Sequence, residues 1–129
     1  MENWIPFGDG QYMVERAFLL ASNHSAVDLF DTVVEVKSTA AGQRRLTGCG
    51  RIQNLLMVTL LEDSDELDLV LDFGGEFKFR LTAPNVQGGK VFAANVKSML
   101  QFYPTRPWVQ LPAAEYHQLI DRASFLGEG

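Results

Sequence analysis

The sequence predicts an α+β protein in which a mostly antiparallel β-sheet, a meander of about five or six strands, packs against two C-terminal α-helices. The main observation is a change of hydrophobic period. Apolar and polar residues alternate through much of residues 28–81, whereas apolar residues recur at every third or fourth position after residue 90. The chain has 129 residues and no internal repeat or linker rich in Pro, Gly or Ser, so residues 1–129 are expected to form a single domain.

The first segment with a clear strand pattern is "DLFDTVVEVKS", residues 28–38, which alternates and is rich in β-branched residues. Ser25 and Asp28 resemble a capping box, and a helical start there is the competing interpretation. The preceding segment, residues 11–21, fits neither a helical stripe nor strict alternation, and both alternatives stay open.

The most apolar strand candidate is "RIQNLLMVTLL", residues 51–61, because it is apolar on both faces. One face carries residues 52, 56, 58 and 60, and the other carries Leu55, Met57 and Leu61. A strand that is apolar on both faces needs cover on both sides.

A β-hairpin is predicted where Leu67–Phe73 and Phe77–Leu81 alternate on either side of two glycines. Because the side-chain period of a strand is two, only an odd loop keeps the apolar residues of both strands on one face. Phe73 is therefore expected opposite Phe77, Leu71 opposite Phe79 and Asp72 opposite Lys78.

The two helices are predicted at residues 90–103 and 112–126. Phe92, Val96, Met99 and Tyr103 form a stripe of helical spacing that Pro104 ends, although residues 90–96 could instead form a short strand. The second helix begins at Pro112, with its stripe centred on Tyr116, Leu119 and Ile120, and Gly127 follows its last apolar residue.

Composition narrows the classes of function. A net charge of −5 makes nucleic acid an unfavoured partner, because phosphates bind basic surfaces. Cys49 is the only cysteine, which excludes an intrachain disulfide and a thiolate metal cluster. No apolar run is long enough for a membrane span and the start does not resemble a signal peptide, so we expect a cytoplasmic protein without membrane contact.

The acidic segment "LLEDSDELDLVLDF", residues 60–73, has the oxygen ligands that Ca²⁺ prefers. An EF-hand loop that began at Asp63 would place Leu67, Asp68 and Gly74 at positions 5, 6 and 12, which are wrong residues for that loop. A solvated hairpin tip is the favoured interpretation, and we expect neither a metal nor a cofactor.

Three further features could carry chemistry. Cys49 lies between Arg45 and Arg51, whose charges could activate a thiol with His24 or His117 as base, but its two neighbouring glycines more simply indicate a bulge or bend. His117 and Asp121 share a helical face, and "APNVQGGK", residues 83–90, resembles a phosphate loop without having its spacing. These patterns leave enzymatic activity uncertain and favour a protein that is not an enzyme.

The leading hypothesis is a non-enzymatic interaction protein that forms a homodimer, with other protein partners also compatible. Its interface is expected on the second apolar sheet face and on the aromatic segment that follows residue 99. The interface residues predicted in this way are Leu55, Met57, Leu61, Val70, Arg106 and Trp108.

The alternative is a small-molecule-binding domain or small enzyme with a pocket between sheet and helices. Its predicted lining consists of four aromatic residues and two polar ones: Phe77, Phe79, Phe92, Tyr103, Cys49 and His117. A third hypothesis is single-stranded nucleic-acid binding, in which aromatic rings and Arg106 stack on bases.

Overall fold

The computed structural model describes residues 8–42, 44–53, 67–88, 97–105 and 108–126. Within these ranges the chain forms one α-helix and ten β-strands, and the strands belong to a single, mostly antiparallel sheet. In chain order they are β1 (Gly10–Met13), β2 (Arg16–Ala21), β3 (Ser25–Ser38), β4 (Arg44–Gln53), β5 (Leu67–Asp72), β6 (Lys78–Leu81), β7 (Asn85–Gly88), β8 (Lys97–Tyr103), β9 (Val109–Gln110), α1 (Ala113–Arg122) and β10 (Ser124–Phe125).

The long strand β3 joins two halves of the sheet. Along one edge it pairs antiparallel with β1 and β2 in a single continuous register, and along the other it pairs with β4 and with the short β10. We call the half built from β1, the second part of β3, β4, β8 and β7 sheet I. The half built from β10, the first part of β3, β2, β5, β6 and β9 is sheet II.

A β-bulge in β3 separates the two halves. The pairing of β3 with β4 shifts between Phe30 and Val33, and Asp31 has a positive φ of 52°. An extra residue on one strand bends that strand and increases its twist. The sheet therefore curls, and the inner faces of sheets I and II enclose one core.

That core is filled by aliphatic residues from both sheets and by Phe79 and Phe102. Gly48 and Gly50 lie inside β4 rather than at a bend before it, which corrects the expectation from the sequence. A Cβ at Gly48 would overlap the ring of Phe102, and one at Gly50 would lie 2.8 Å from Thr32 Oγ1. The glycines are needed because bulky neighbours pack directly on the strand backbone.

A second core lies between sheet II and α1. It contains Phe18, Leu20 and Val70 from the sheet and Tyr116 from the helix, all at most 4% exposed. Residues 17–21 are consequently buried on both faces of β2. This double burial explains why residues 17–21 show no alternation, because a strand with cover on both sides is apolar on both sides. Residues 11–13 belong to the separate and largely exposed strand β1, so the segment 11–21 is two strands and not one element.

The predicted fold class is wrong. The described residues contain ten strands and one short helix, not five or six strands with two C-terminal helices. The helix expected at 90–103 is a strand over residues 97–103, where Leu100 and Phe102 point into the core while Met99 and Gln101 are exposed. Residues 90–96 lie outside the described ranges.

Other predictions are confirmed. The second helix exists as α1, preceded by Pro112, but it ends at Arg122 and not at the predicted residue 126, because Ser124–Phe125 pairs with β3 as strand β10. The β5–β6 hairpin has the expected register, with Leu71 opposite Phe79 and Asp72 opposite Lys78, and the amide of Phe73 bonds to the carbonyl of Phe77 at 2.8 Å. Residues 28–38 lie in β3, so the helical start at Ser25 is wrong. Most of the predicted strand 51–61 falls outside the described ranges.

In the described part of the chain, no helix has the length and apolar character needed to cross a membrane.

Candidate functional site

The outer face of sheet I is the surface on which the structure gathers candidate functional residues. Strand pairing places the outward side chains of β1, β3, β4 and β8 in rows across the sheet. The middle row contains Met13, Val33, Cys49 and Gln101, because each of these residues is paired with the next.

Two further rows flank the middle one. On one side, Gln11, Glu35 and Thr47 are paired in turn across β1, β3 and β4, and Tyr103 of β8 lies one residue beyond the pair of Gly48 with Phe102. On the other side, beyond the bulge in β3, lie Phe30, Arg51 and Met99. We refer to these three rows as the outer face of sheet I.

This face is open to solvent. Met13 is 73% exposed, Met99 is 57% exposed and Phe30 is 44% exposed. The helix α1 covers sheet II instead, so none of the described elements shields these side chains. Large apolar side chains that are exposed together on one surface indicate an interaction site.

A groove of about 250 Å³ crosses the middle of the outer face. Its walls include Glu35 and Val33 from β3, Thr47 and Cys49 from β4, and Tyr103 from β8. Two of the predicted ligand-binding residues, Cys49 and Tyr103, are therefore brought together here.

The groove has a negative side. Glu35 accepts a hydrogen bond from Gln11 Nε2 at 3.1 Å. It also forms an ion pair with Lys37 Nζ at 3.3 Å. These two partners lower the pKa of Glu35, with the hydrogen bond from Gln11 as the larger cause, so the carboxylate is charged at neutral pH. The exposed Arg51, in the row on the other side of Cys49, forms no ion pair with any described residue.

Cys49 is half-buried and is not in a disulfide. His24 lies in the β2–β3 turn, with a φ of 70°, and His117 lies on α1, so neither histidine lines the groove. The predicted thiol–imidazole pair is not assembled in the described structure.

The remaining predicted ligand-binding residues lie apart from one another. Phe79 is 3% exposed and packs in the core, whereas Phe77 is 53% exposed at the β5–β6 hairpin. His117 is exposed on α1, and Phe92 lies outside the described ranges. The helix packs on sheet II through the second core. Two clefts of about 440 and 240 Å³ remain at the junction of the helix and sheet II, and none of the described residues predicted to bind a ligand lines either cleft.

The predicted interface residues are also placed elsewhere. Val70 is fully buried beneath α1, so it belongs to no open surface. Trp108 packs against Phe73 at 6.4 Å and Phe79 at 5.3 Å between ring centroids, closing the main core. Leu55, Met57, Leu61 and Arg106 lie outside the described ranges.

Two described members of the acidic segment, Asp72 and Asp68, have clear structural roles. Asp72 accepts a hydrogen bond from the amide of Gly74 at 2.8 Å and lies 3.4 Å from Lys78 Nζ. Asp68 accepts hydrogen bonds from Arg80 Nε at 2.8 Å and from the amide of Ala83 at 3.0 Å. Its oxygens are thus occupied by protein groups, and the described residues contain no cluster of potential metal ligands. Residues 62–66, which carry the other acidic side chains of the tip, are outside the described ranges.

Two weaker sequence motifs do not form sites in the described structure. Asn85–Gly88 of the suggested phosphate loop is strand β7, and Gly89 and Lys90 are outside the described ranges. His117 and Asp121 are both exposed on α1.

A buried polar cluster was missed by the sequence reasoning. Lys78 is 8% exposed, and its Nζ donates to the carbonyl of Gly75 at 2.5 Å, lies 3.4 Å from Asp72 Oδ1 and sits 5.2 Å from the ring centre of Tyr116. The cluster ties the hairpin turn to α1. The only part of this cluster that the sequence indicated was the pairing of Asp72 with Lys78 in the predicted hairpin.

Comparisons with protein-family models, with curated proteins and with solved structures find no match to this chain.

Proposed function

We propose that the protein is a non-enzymatic interaction protein that self-associates as a homodimer through the outer face of sheet I. The observation that supports this proposal is the joint exposure of Met13, Phe30 and Met99 around the half-buried Cys49. The chain covers its other outer sheet face with its own helix, so a second copy would supply for sheet I the cover that α1 supplies for sheet II.

The size of the face sets the expected strength of the dimer. Four strands at about 4.8 Å spacing, followed for about 20 Å along β4, give a patch of about 400 Å². A standard stable interface buries about 800 Å² per partner. We therefore expect a dimer that dissociates in the micromolar range.

Sedimentation velocity between about 1 and 200 µM tests the proposal, because that range brackets a micromolar dissociation constant. The wild type should shift from monomer to dimer, and Met99→Asp should stay monomeric because it places a charge in the apolar rim. Val109→Asp is the matched control, since Val109 is similarly exposed at 53% but lies on the edge strand of sheet II. A wild type that stays monomeric over the range would contradict the proposal.

A second proposal is a small-molecule-binding domain or small enzyme. It is supported by the groove that brings Cys49 and Tyr103 together. Under this proposal the wild type stays monomeric, a bound small molecule raises the unfolding temperature, and Cys49→Ala or Tyr103→Ala removes that increase.

Single-stranded nucleic-acid binding is the third proposal. It is supported by the presence of Arg51, Tyr103 and Phe30 on one sheet face. It requires retention of a labelled oligonucleotide at low salt, with a steep loss of binding as salt rises.

A cytoplasmic location remains a prediction, for which the single free cysteine is the support.

A further inference from the structure

We propose that the groove beside Glu35 receives the side chain of Arg51 from a second copy of the chain, so that two identical arginine–carboxylate contacts hold the dimer together. This inference rests on the proposed self-association and specifies how the two copies are arranged.

Arg51 and Glu35 lie on opposite sides of the row that contains Cys49 on the outer face of sheet I. Arg51 lies two residues from Cys49 along β4, and Thr47 lies two residues from Cys49 in the opposite direction. Glu35 is paired directly with Thr47 on the neighbouring strand. The positive and negative groups therefore stand at equal distances on either side of the row that contains Cys49.

A face-to-face dimer of two identical chains has two-fold symmetry. Its two-fold axis lies in the plane of the interface. An axis that runs along the row of Met13, Val33 and Cys49 reverses the strand direction of the second copy. Arg51 of that copy then faces Thr47 across the interface, offset by about 5 Å in the plane of the sheet from Glu35 on the next strand. The side chains of Arg51 and Glu35 together span the spacing of about 10 Å between two packed sheets. The same operation brings Arg51 of the first copy to the groove of the second, as an isologous interface requires.

The groove fits the side chain of Arg51 in volume and in hydrogen-bond acceptors. The groove of about 250 Å³ has the volume of about eight water molecules, which is ample for a guanidinium group of four heavy atoms. Glu35 is held as a carboxylate by Gln11 and Lys37. The hydroxyl-bearing residues Thr47 and Tyr103 offer further acceptors in the groove walls.

In the proposed dimer, apolar side chains lie beside the ion pair of Arg51 and Glu35. Met13 and Met99 project from the rows that contain Cys49 and Arg51. In a face-to-face dimer they would exclude water from the contact, which strengthens an arginine–carboxylate pair relative to one in open solvent. Arg51 has no competing ion pair among the described residues.

A charge-swap series tests this arrangement by sedimentation of the full chain. Glu35→Arg and Arg51→Glu should each raise the dissociation constant about tenfold or more, because each places like charges together. The double variant carrying both changes should return to within about threefold of wild type, because the pair is restored with reversed sign. Arg122→Glu is the control: Arg122 is exposed on α1, which covers sheet II and not the outer face of sheet I, so this variant should dimerise like wild type.

Cross-linking gives a second readout that does not depend on the charged variants. Because the proposed axis passes through the row of Cys49, a short bismaleimide should link two wild-type chains through their Cys49 thiols. Cys49→Ala should give no linked dimer, since Cys49 is the only cysteine in the sequence.

The outcomes separate this inference from the proposed function. A wild type that never dimerises overturns both. A wild type that dimerises, while the single charge variants bind as tightly as wild type and Cys49 does not cross-link, overturns only the placement of Arg51 in the groove. Circular dichroism of each variant checks that the fold is intact.

Discussion

Gly48 shows how closely the inner side of sheet I is packed. Its neighbour across the pair with β8 is Phe102, which is fully buried, and a Cβ at Gly48 would overlap the aromatic ring. Phe102 has no free space into which it can turn without displacing other core residues, because protein cores are packed as densely as organic crystals.

We therefore expect Gly48→Ala to lower the free energy of unfolding by about 1–3 kcal/mol or more, the usual cost of overpacking a core. Urea denaturation provides the measurement. Gly8→Ala is the control, since a Cβ there meets nothing within 4 Å, and it should change stability by less than about 0.5 kcal/mol. Adding Phe102→Leu to Gly48→Ala should recover part of the loss, and an unchanged Gly48→Ala variant would show that the ring does not press on the strand.

At the scale of secondary-structure elements, the contact between α1 and the β5–β6 hairpin depends on Tyr116. Burial is the main reason that the pKa of Tyr116 lies well above its ordinary value of 10.0, and the negative charge of Asp72 and a hydrogen bond to it raise that pKa further. Arg16, which is also near, acts in the opposite direction, and Asp28 adds a smaller increase.

The raised pKa makes stability depend on pH in the alkaline range. Below about pH 10 the tyrosine is protonated in both the folded and the unfolded chain, and its stabilising contribution is fully present. As the pH rises above that value, the unfolded chain loses the proton while the folded chain keeps it. The free energy of unfolding should then fall by up to about 1.4 kcal/mol per pH unit from this residue.

Tyr116→Phe should remove this part of the alkaline loss while costing about 1 kcal/mol at neutral pH through the lost hydrogen bond. Urea denaturation of both proteins from pH 7 to 11 provides the comparison. Tyr12→Phe is a control that removes a tyrosine hydroxyl without disturbing α1, because Tyr12 is a half-buried residue of β1 that packs against the main core and not against the helix. Parallel stability curves for wild type and Tyr116→Phe above pH 10 would contradict the assignment.

The elements that could be predicted from the sequence are those with local signals. The β5–β6 register follows from an odd loop between two alternating strands, and α1 follows from Pro112 and the stripe around Tyr116. The strand β8 was missed because Met99 and Tyr103 also fit a helical period, although Leu100 and Phe102 are the buried pair. The outer face of sheet I was missed because which side of a sheet a helix covers is a tertiary property that strand alternation does not contain.

At the scale of the whole molecule, β3 makes sheets I and II one mechanical unit. The strand runs without interruption through both halves, and it shares a continuous register with β1 and β2 along one edge. The main core is built from residues of both sheets, with Leu19 and Leu69 from sheet II and Val34 and Leu100 from sheet I in one cluster. Neither half keeps its inner face covered if the other unfolds.

This dependence predicts a single cooperative unfolding transition for the whole described structure. Far-UV circular dichroism, which follows the strands of both sheets, and tryptophan fluorescence, which includes Trp108 in the main core, should give the same midpoint in urea at a fixed protein concentration. The two curves should also coincide for Met99→Asp, in which dimerisation cannot contribute to the midpoint. Two separated transitions in that variant would mean that sheet I can unfold while sheet II and α1 remain folded, and the bulge at Asp31 would then be a boundary between folding units instead of a bend within one.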